Sequence, residues 1–177
     1  AGFAATVWPV GWPLALAALI RLGGEELALW GAPLCALLAA WLTYRLAWEM
    51  APEAPSEAGA LAAAILLTSR EGALRALVPM ADAAAQALSV ATVLCLWRGR
   101  RRDSLAWSAL AGLLLAWGYW VRHPLLPLGL AAIPACWGAG RPWRRRLAHL
   151  GIFGAAALAG ALPDLAYHHQ AFGSIWT

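Results

Sequence analysis

Residues 105–124 read Leu-Ala-Trp-Ser-Ala-Leu-Ala-Gly-Leu-Leu-Leu-Ala-Trp-Gly-Tyr-Trp-Val-Arg-His-Pro. The run Leu105–Val121 contains no charged residue, and as an α-helix it would be about 26 Å long. This length is close to the thickness of the hydrocarbon core of a bilayer. Arg122 follows directly, and a charge at the end of such a run is tolerated only where water or a counter-charge reaches it. The stretch therefore predicts a membrane-spanning helix that ends at an aqueous surface.

The composition of the whole chain agrees with this prediction. Of its 177 residues, 62% are apolar and only 12% are charged, and the mean hydropathy is +0.64. A soluble domain carries about a quarter charged residues, and one core of this size could not hide so many apolar side chains. We therefore expect an integral membrane protein whose main partner is the lipid bilayer. The net charge of +4 fits basic loops beside a membrane better than nucleic-acid binding, which we do not expect.

The apolar runs and their breaks predict an all-α, polytopic transmembrane bundle that forms a single domain over residues 1–177. A short interfacial helix over 12–22 should end at Gly23-Gly24, because an apolar run of this length is too short to span. Ser69–Val78 is polar and is interpreted as a loop, and Pro163-Asp164 should end the last span. Six spans are predicted, at about 27–48, 58–68, 80–97, 104–121, 124–139 and 147–163.

The arginines give an orientation if all six spans cross. Nine then lie on one side and four on the other, and the positive-inside rule places the larger set in the cytoplasm. The short run 58–68 is the weakest of the six spans, so this orientation depends on its crossing. The larger set is Arg45, Arg98, Arg100, Arg101, Arg102, Arg141, Arg144, Arg145 and Arg146; the smaller is Arg21, Arg70, Arg75 and Arg122.

The second candidate charge is Asp82, in the stretch Ala76-Leu-Val-Pro-Met-Ala-Asp82. The orientation puts Asp82 on the extracytoplasmic side with Arg122, Arg70 and Arg75. A carboxylate can orient an acceptor, and guanidinium groups suit phosphate. Alternatives from the residues alone are a helix-terminus role for Asp82 and contact of Arg122 with lipid headgroups.

The cysteines and histidines do not predict a metal site. Cys35, Cys95 and Cys136 lie inside apolar runs with no CxxC spacing, so they are interpreted as buried thiols. His168 and His169 are adjacent, so they cannot both bind a metal from one helical face, and there is no HxxxH motif. We therefore expect neither a metal nor a cofactor.

Five stretches, in the same order along the chain, resemble the GT-C membrane glycosyltransferases, which include the protein mannosyltransferases and the aminoarabinose transferases. Tyr44-Arg45-Leu46-Ala47 is similar to the exit of a family span, and Pro79-Met-Ala-Asp82-Ala to a family helix start. The others are Trp8-Pro-Val-Gly-Trp-Pro-Leu14, Ala111–Gly118 with Val121-Arg-His-Pro124, and Tyr167-His-His-Gln-Ala-Phe-Gly-Ser174.

This resemblance implies a transferase that moves a sugar from a polyprenyl-phosphate-linked donor to an acceptor at the extracytoplasmic face. We expect a bacterial inner membrane location, and the positive-inside rule places the arginine-rich loops 98–102 and 141–146 in the cytoplasm. The family's catalytic acids lie in a first extracytoplasmic loop that has no counterpart in residues 1–177. We therefore expect the chain to be a central fragment of the membrane domain, completed by further N- and C-terminal parts, and we expect no catalytic residue within it. Asp82, Arg122, Arg70 and Arg75 would be walls of the donor or acceptor site.

A second function class remains open at the level of sequence. The chain could be a non-catalytic membrane subunit or a transporter-like helix bundle. Transport through the bilayer predicts polar residues or broken helices at mid-span, and the middles of these runs hold few of either. Whether polar side chains gather at mid-span or at one end of the bundle therefore discriminates between the two classes.

Overall fold

The computed structural model describes residues 9–78, 80–137 and 141–173. These residues are helical with short connections and contain no strand, which confirms the predicted all-α class. Residues 1–8, 138–140 and 174–177, and with them Trp8 and Ser174 of the family-like stretches, lie outside the described residues, as does Pro79. The helices are α1 Gly11–Leu29, α2 Gly31–Met50, α3 Pro55–Thr68, α4 Arg70–Leu77, α5 Ala81–Arg102, α6 Leu105–Val121, a 3₁₀ segment His123–Ala131, α7 Ala132–Cys136 and α8 Trp143–Phe172.

Helix α6 lies at the centre of the bundle, between α5 and α8. Its small residues allow the close contact: a Cβ at Gly112 would lie 2.2 Å from the carbonyl oxygen of Phe153 on α8. Small residues bring helix backbones together in this way in membrane proteins. Leu96, Ala111, Leu115 and Phe153 form the core at this contact.

A second core cluster joins α1, α2, α5 and α6. It contains Trp12, Ala32, Ala36, Ala83 and Val121, all largely buried. Because Ala83 is in the first turn of α5 and Val121 in the last turn of α6, this cluster lies at the end of the bundle where Asp82 and Arg122 are found.

Among the described residues, fewer helices than the six predicted spans are long and apolar enough to cross a bilayer. Of the described helices, only α8 is by itself long and apolar enough to cross a bilayer, and the number rises to three if bent helix pairs count as single spans. One such pair is α1 and α2, which meet at an angle of 79°. Helices α3 and α6 are apolar but shorter, as is the run His123–Cys136. Six separate spans therefore remain a prediction.

The segment predicted as a polar loop over Ser69–Val78 contains a helix instead. The Ser69 hydroxyl accepts a hydrogen bond from the backbone N–H of Gly72 at 3.0 Å and caps α4. An ion pair between Glu71 and Arg75 at 3.2 Å, one turn apart, supports the same helix. The loop prediction was wrong because it weighed polarity and passed over the serine cap.

Gly23 and Gly24, where the first helix was predicted to end, have non-helical backbone angles and divide the range Gly11–Leu29 into two helical pieces. The last predicted helix, in contrast, differs from the structure. Pro163 lies inside α8, which continues to Phe172 and ends at Gly173 with φ +70°. The prediction that Pro163-Asp164 ends the last span was wrong. Proline is tolerated within membrane helices because neighbouring groups re-satisfy the backbone, and here α8 packs along α6.

The charged residues divide between two ends of the bundle. Helix α5 has 22 residues and is therefore about 33 Å long, with Asp82 in its first turn and Arg100–Arg102 in its last. Helix α3 packs back against α2, where a Cβ at Gly59 would meet the Tyr44 ring at 2.7 Å. The chain thereby returns from Met50 toward Arg75 and Asp82.

Candidate functional site

The structure pairs Asp82 with Arg122. The Asp82 carboxylate, in the first turn of α5, forms an ion pair with the Arg122 guanidinium, at the C-terminal end of α6. The Asp82 side chain is 19% exposed, whereas that of Arg122 is 44% exposed. The pair is therefore anchored on its acidic side and open to solvent on its basic side, where an anion could approach.

Arg75 is the second cation at this pair. Its Nη1 lies 4.0 Å from Asp82 Oδ1, and its Nε lies 3.2 Å from the Glu71 carboxylate. Arg70, the fourth predicted site residue, is exposed on α4 and makes no ion pair within the described part of the chain. The fold thus brings together Asp82, Arg122 and Arg75 and leaves Arg70 outside the group.

Asp82 and Arg122 line one cleft of about 610 Å³. An apolar cavity of about 460 Å³ adjoins it, and Trp12 and Val121 line both spaces. The cavity wall is otherwise formed by apolar side chains from α1, α2, α5 and α6, such as Leu19, Leu88 and Trp117. A charged cleft beside an apolar cavity can hold an amphipathic molecule with an anionic head. The other lining residues of the cleft are Pro9, Pro13, Met80, Ala81, His123 and Pro124.

A cluster at this same end was not found by the sequence analysis. Asp164 Oδ2 lies 3.8 Å from His123 Nε2 and 3.8 Å from His168 Nε2. Asp164 and His168 are almost completely buried, and His123 also lines the cleft. No metal site was expected, because the argument from the histidines compared His168 only with its neighbour His169. The spacing Asp164-x₃-His168 was a usable signal, because residues four apart share one face of a helix, but the helix was predicted to end at Pro163.

The opposite end of the bundle is organised by Asp103, which follows α5 with a left-handed φ of +48°. Its carboxylate accepts hydrogen bonds from His149 Nε2 at 2.9 Å and Arg145 Nε at 3.1 Å, and pairs with Arg141 Nε at 3.2 Å. His149 Nδ1 lies 2.7 Å from the Ser108 hydroxyl. The hydrogen bond from His149, followed by the charges of Arg141 and Arg145, lowers the pKa of Asp103.

The arginine-rich segments 98–102 and 141–146, which were predicted as loops, also meet at this end; residues 98–102 are instead the last residues of α5, and residues 143–146 belong to the start of α8. Arg98 donates two hydrogen bonds to Glu49 Oε1, at 2.9 and 2.6 Å, and Arg141 donates to the Gly99 carbonyl oxygen at 3.1 Å. Residues 98–103 and 141–149 are thus joined by hydrogen bonds and ion pairs. In this network every carboxylate is paired with arginine or histidine, although Arg141 Nη1 has no hydrogen-bond partner among the described residues.

The chemistry available at the Asp82 end is recognition of an anion. A guanidinium group offers paired donors that match phosphate oxygens, and Asp82 fixes the position of Arg122. The apolar cavity supplies the adjoining surface for a hydrocarbon chain. The polar side chains that line the cleft among the described residues are those of Asp82, Arg122 and His123, together with the indole of Trp12.

Comparison with known proteins gives the family. The sequence profile of the family described as dolichyl-phosphate-mannose-protein mannosyltransferase matches residues 9–167, which is most of the chain. Comparisons with curated proteins and with solved structures found no match. The matched range includes Asp82, Arg122, His123 and Asp164, and it ends one residue before His168. With its helical, apolar architecture, the chain belongs to the dolichyl-phosphate-mannose-protein mannosyltransferase family of integral membrane glycosyltransferases.

Proposed function

We propose that the protein transfers a sugar from a polyprenyl-phosphate-linked donor to an acceptor at the extracytoplasmic face of the bacterial inner membrane. The observation that carries this proposal is the junction of the charged Asp82–Arg122 cleft with an apolar cavity. A polyprenyl-phosphate sugar has the same two parts, an anionic head and a hydrocarbon chain. The family supports glycosyl transfer as the reaction.

Arg122 is proposed to hold the donor phosphate. As the sugar leaves, negative charge grows on the phosphate, and a fixed cation stabilises that charge. The guanidinium is tethered by Asp82 and still 44% exposed, so it can bind an anion without first breaking free of a buried site. Arg75 lies on the other side of Asp82, 4.0 Å from its carboxylate, and adds a second positive charge.

Asp82 is proposed as a supporting or acceptor-orienting carboxylate in the wall of the site. Its ion pair with Arg122 occupies one of its oxygens. A carboxylate held in this way positions the guanidinium and can accept a hydrogen bond from an acceptor hydroxyl. Asp82 is therefore assigned to the wall of the site, and it is not assigned the role of catalytic base.

The proposed orientation follows the distribution of arginines. Arg98 and Arg141 lie together at the Asp103 end, where both are tied to neighbouring backbone or acidic groups. The positive-inside rule would place this end in the cytoplasm. The cleft at the other end of α5 would then face the extracytoplasmic side.

The alternative of a transporter-like bundle has a bent helix pair, α1 and α2, in its favour, but no polar path runs through the described helices. Three mid-helix hydroxyls bond to their own backbone: Thr92 donates to the Leu88 carbonyl oxygen at 2.8 Å, Ser89 to that of Ala85 at 2.7 Å, and Thr43 to that of Ala39 at 2.8 Å. Such local bonds satisfy isolated hydroxyl groups. They do not form the continuous polar path that transport across the bilayer needs.

The donor class is tested with the full-length protein in lipid nanodiscs. Release of polyprenyl phosphate is measured with polyprenyl-phosphate mannose as donor and compared with turnover of nucleotide-linked mannose. We expect turnover only of the lipid-linked donor, with inhibition by added polyprenyl phosphate, because the apolar cavity would bind the chain. Turnover of the nucleotide-linked sugar alone would contradict the proposal.

A photoreactive polyprenyl phosphate locates the donor. Labelling is expected on peptides from α1, α5 and α6 that contribute to the cavity, such as those with Trp12 or Trp117, and unlabelled polyprenyl phosphate should compete. Labelling confined to the arginine-rich segments 98–102 and 141–146 at the Asp103 end would show that the site has been assigned to the wrong end of the bundle.

A further inference from the structure

Three side chains that can bind metals meet where the break after α6 packs against α8. One ligand atom each from His123, Asp164 and His168 can be chosen so that all three lie within 4.8 Å of one another. Asp164 and His168 come from the same face of α8, one turn apart, and His123 comes from the first residue of the 3₁₀ segment. Two elements separated by about 40 residues in sequence thus converge on one point.

The polar atoms of this cluster are buried without hydrogen bonds. Within the described part of the chain, neither carboxylate oxygen of Asp164, neither ring nitrogen of His168, nor Nε2 of His123 has a hydrogen-bond partner. A buried carboxylate without partners is among the most costly groups in a protein interior. The 3.8 Å separations from the two histidines are too long for hydrogen bonds. A cation at the centre would satisfy all three side chains at once.

The chemistry and the spacing select the class of cation. Two imidazole nitrogens and one carboxylate oxygen form a donor set that zinc prefers, at about 2.0–2.2 Å from the ion. Tetrahedral ligands at such distances are about 3.4 Å apart, so the two 3.8 Å separations from Asp164 and the separation between the histidines, which is within 4.8 Å, must contract when the ion binds. A site for Ca²⁺ or Mg²⁺ would be built from oxygen ligands, which this cluster does not supply.

Aromatic rings surround the cluster and limit the groups that could compete for it. The Tyr119 ring stacks on His123 with centroids 4.6 Å apart, and Phe172 lies 5.5 Å from the His168 ring. The ion pairs of the described residues include no arginine with Asp164; Arg122, beside His123, pairs with Asp82 instead. Among the ion pairs of the described residues, the carboxylate of Asp164 is therefore matched only by the two histidines.

We propose that His123, Asp164 and His168 bind a zinc ion that ties the 3₁₀ segment to α8. Three protein ligands leave a fourth position for water or for an oxygen of a bound molecule, as in zinc sites with an open position. His123 also lines the cleft of Asp82 and Arg122, so the ion lies beside the proposed donor site. This inference goes beyond the proposed function, and zinc binding can be measured whether or not the protein uses a lipid-linked sugar.

The first test is metal content. The full-length protein in detergent is stripped of metal with a chelator, incubated with excess Zn²⁺, and separated from free ion by gel filtration before elemental analysis. We expect about one zinc ion per chain, and an affinity at least about tenfold lower for His168→Gln and for Asp164→Asn, since even groups that only support a ligand contribute that much. The matched control is His169→Gln, because His169 is adjacent and exposed.

The second test remains valid if one variant folds poorly. Co²⁺ is added to the metal-free wild-type protein, to Asp164→Asn and to His169→Gln, and the visible absorption of tetrahedral Co²⁺ is recorded together with the unfolding temperature. We expect the absorption and a raised unfolding temperature for the wild-type protein and His169→Gln only. If the stripped wild-type protein carries no zinc after incubation with Zn²⁺ and gel filtration, the proposal is overturned. Equal loss of zinc from His168→Gln and His169→Gln also overturns it.

Discussion

Each end of the bundle holds a buried histidine beside an aspartate, and the two pairs differ in how they are satisfied. At the Asp103 end, His149 is 1% exposed and both of its ring nitrogens have hydrogen-bonding partners, Asp103 and Ser108. At the other end, His168 is 2% exposed and neither of its nitrogens has one in the described residues. A satisfied network stabilises a fold, whereas an unsatisfied buried cluster calls for an explanation such as the bound ion proposed above. The same residue types therefore indicate structure at one end and binding at the other.

The two arginine–carboxylate pairs along α5 show the same contrast. Arg98 and Glu49 are each 17% exposed, and Arg98 also lies over the Trp107 ring at 5.0 Å. Arg122 pairs with Asp82 but remains open to the cleft. Because its guanidinium is already enclosed by protein groups, Arg98 has little capacity to bind another anion. Arg122 retains that capacity.

The largest effect on stability is expected from His149→Ala. This change removes the partner of both Ser108 and Asp103 and leaves a cavity between α6 and α8, so the free energy of unfolding should fall by about 3 kcal/mol. The measurement is reversible unfolding in mixed micelles. His169→Ala is the control and should change the value by less than about 0.5 kcal/mol, since His169 is exposed. If His149→Ala and His169→Ala lowered the free energy of unfolding equally, the Asp103 end would not be the stabilising end of the bundle.

A smaller loss is expected from Arg98→Ala. Glu49 would lose the two hydrogen bonds from Arg98 while remaining mostly buried, which should lower the free energy of unfolding by about 2 kcal/mol. Arg144→Ala serves as the matched control, because Arg144 is exposed and contacts only the Trp143 ring among the interactions described. If Arg98→Ala were as neutral as Arg144→Ala, the Arg98–Glu49 pair would not stabilise this end.

The smallest effect is the pH dependence of the Asp103 network. The pKa of Asp103 is lowered in the folded protein, chiefly by the hydrogen bond from His149. Its contribution to stability is therefore present above the unfolded value of about 3.9 and is lost as the pH falls through the lower folded pKa. Unfolding of the wild-type protein and Asp103→Asn is compared between about pH 7 and pH 3. The difference between them should shrink toward the acidic limit; a constant difference would show that the charge of Asp103 contributes nothing.

Sequence reasoning predicted what depends on apolar runs and loop charges. The all-helical class follows from runs such as Leu105–Val121. The meeting of Arg98–Arg102 with Arg141–Arg146 follows from the alternation of helices, as does the position of Asp82 near Arg122. The role of Asp82, Arg122 and Arg75 in a donor site is still a prediction.

The features that were missed depend on contacts between distant segments. Pro163 was read with a local rule, and the packing of α8 on α6 overrides that rule. Because the helix continues, Asp164 and His168 share a face, and only the fold brings His123 to them. Local hydrogen bonding was also decisive at Ser69, which starts α4 in a stretch whose polarity suggested a loop.

The central claim, that the Asp82 end binds substrate while the Asp103 end holds the fold, is tested by measuring turnover and unfolding on the same preparations. Arg122→Ala and Arg98→Ala are compared in the full-length protein, with polyprenyl-phosphate mannose as donor. The account predicts that Arg122→Ala lowers turnover at least about 100-fold and lowers the free energy of unfolding by no more than about 2 kcal/mol, because Arg75 stays 4.0 Å from the mostly buried Asp82 carboxylate. Arg98→Ala should lower stability while the folded fraction keeps its turnover. Equal loss of turnover in both variants, or unchanged turnover in Arg122→Ala, would contradict the claim.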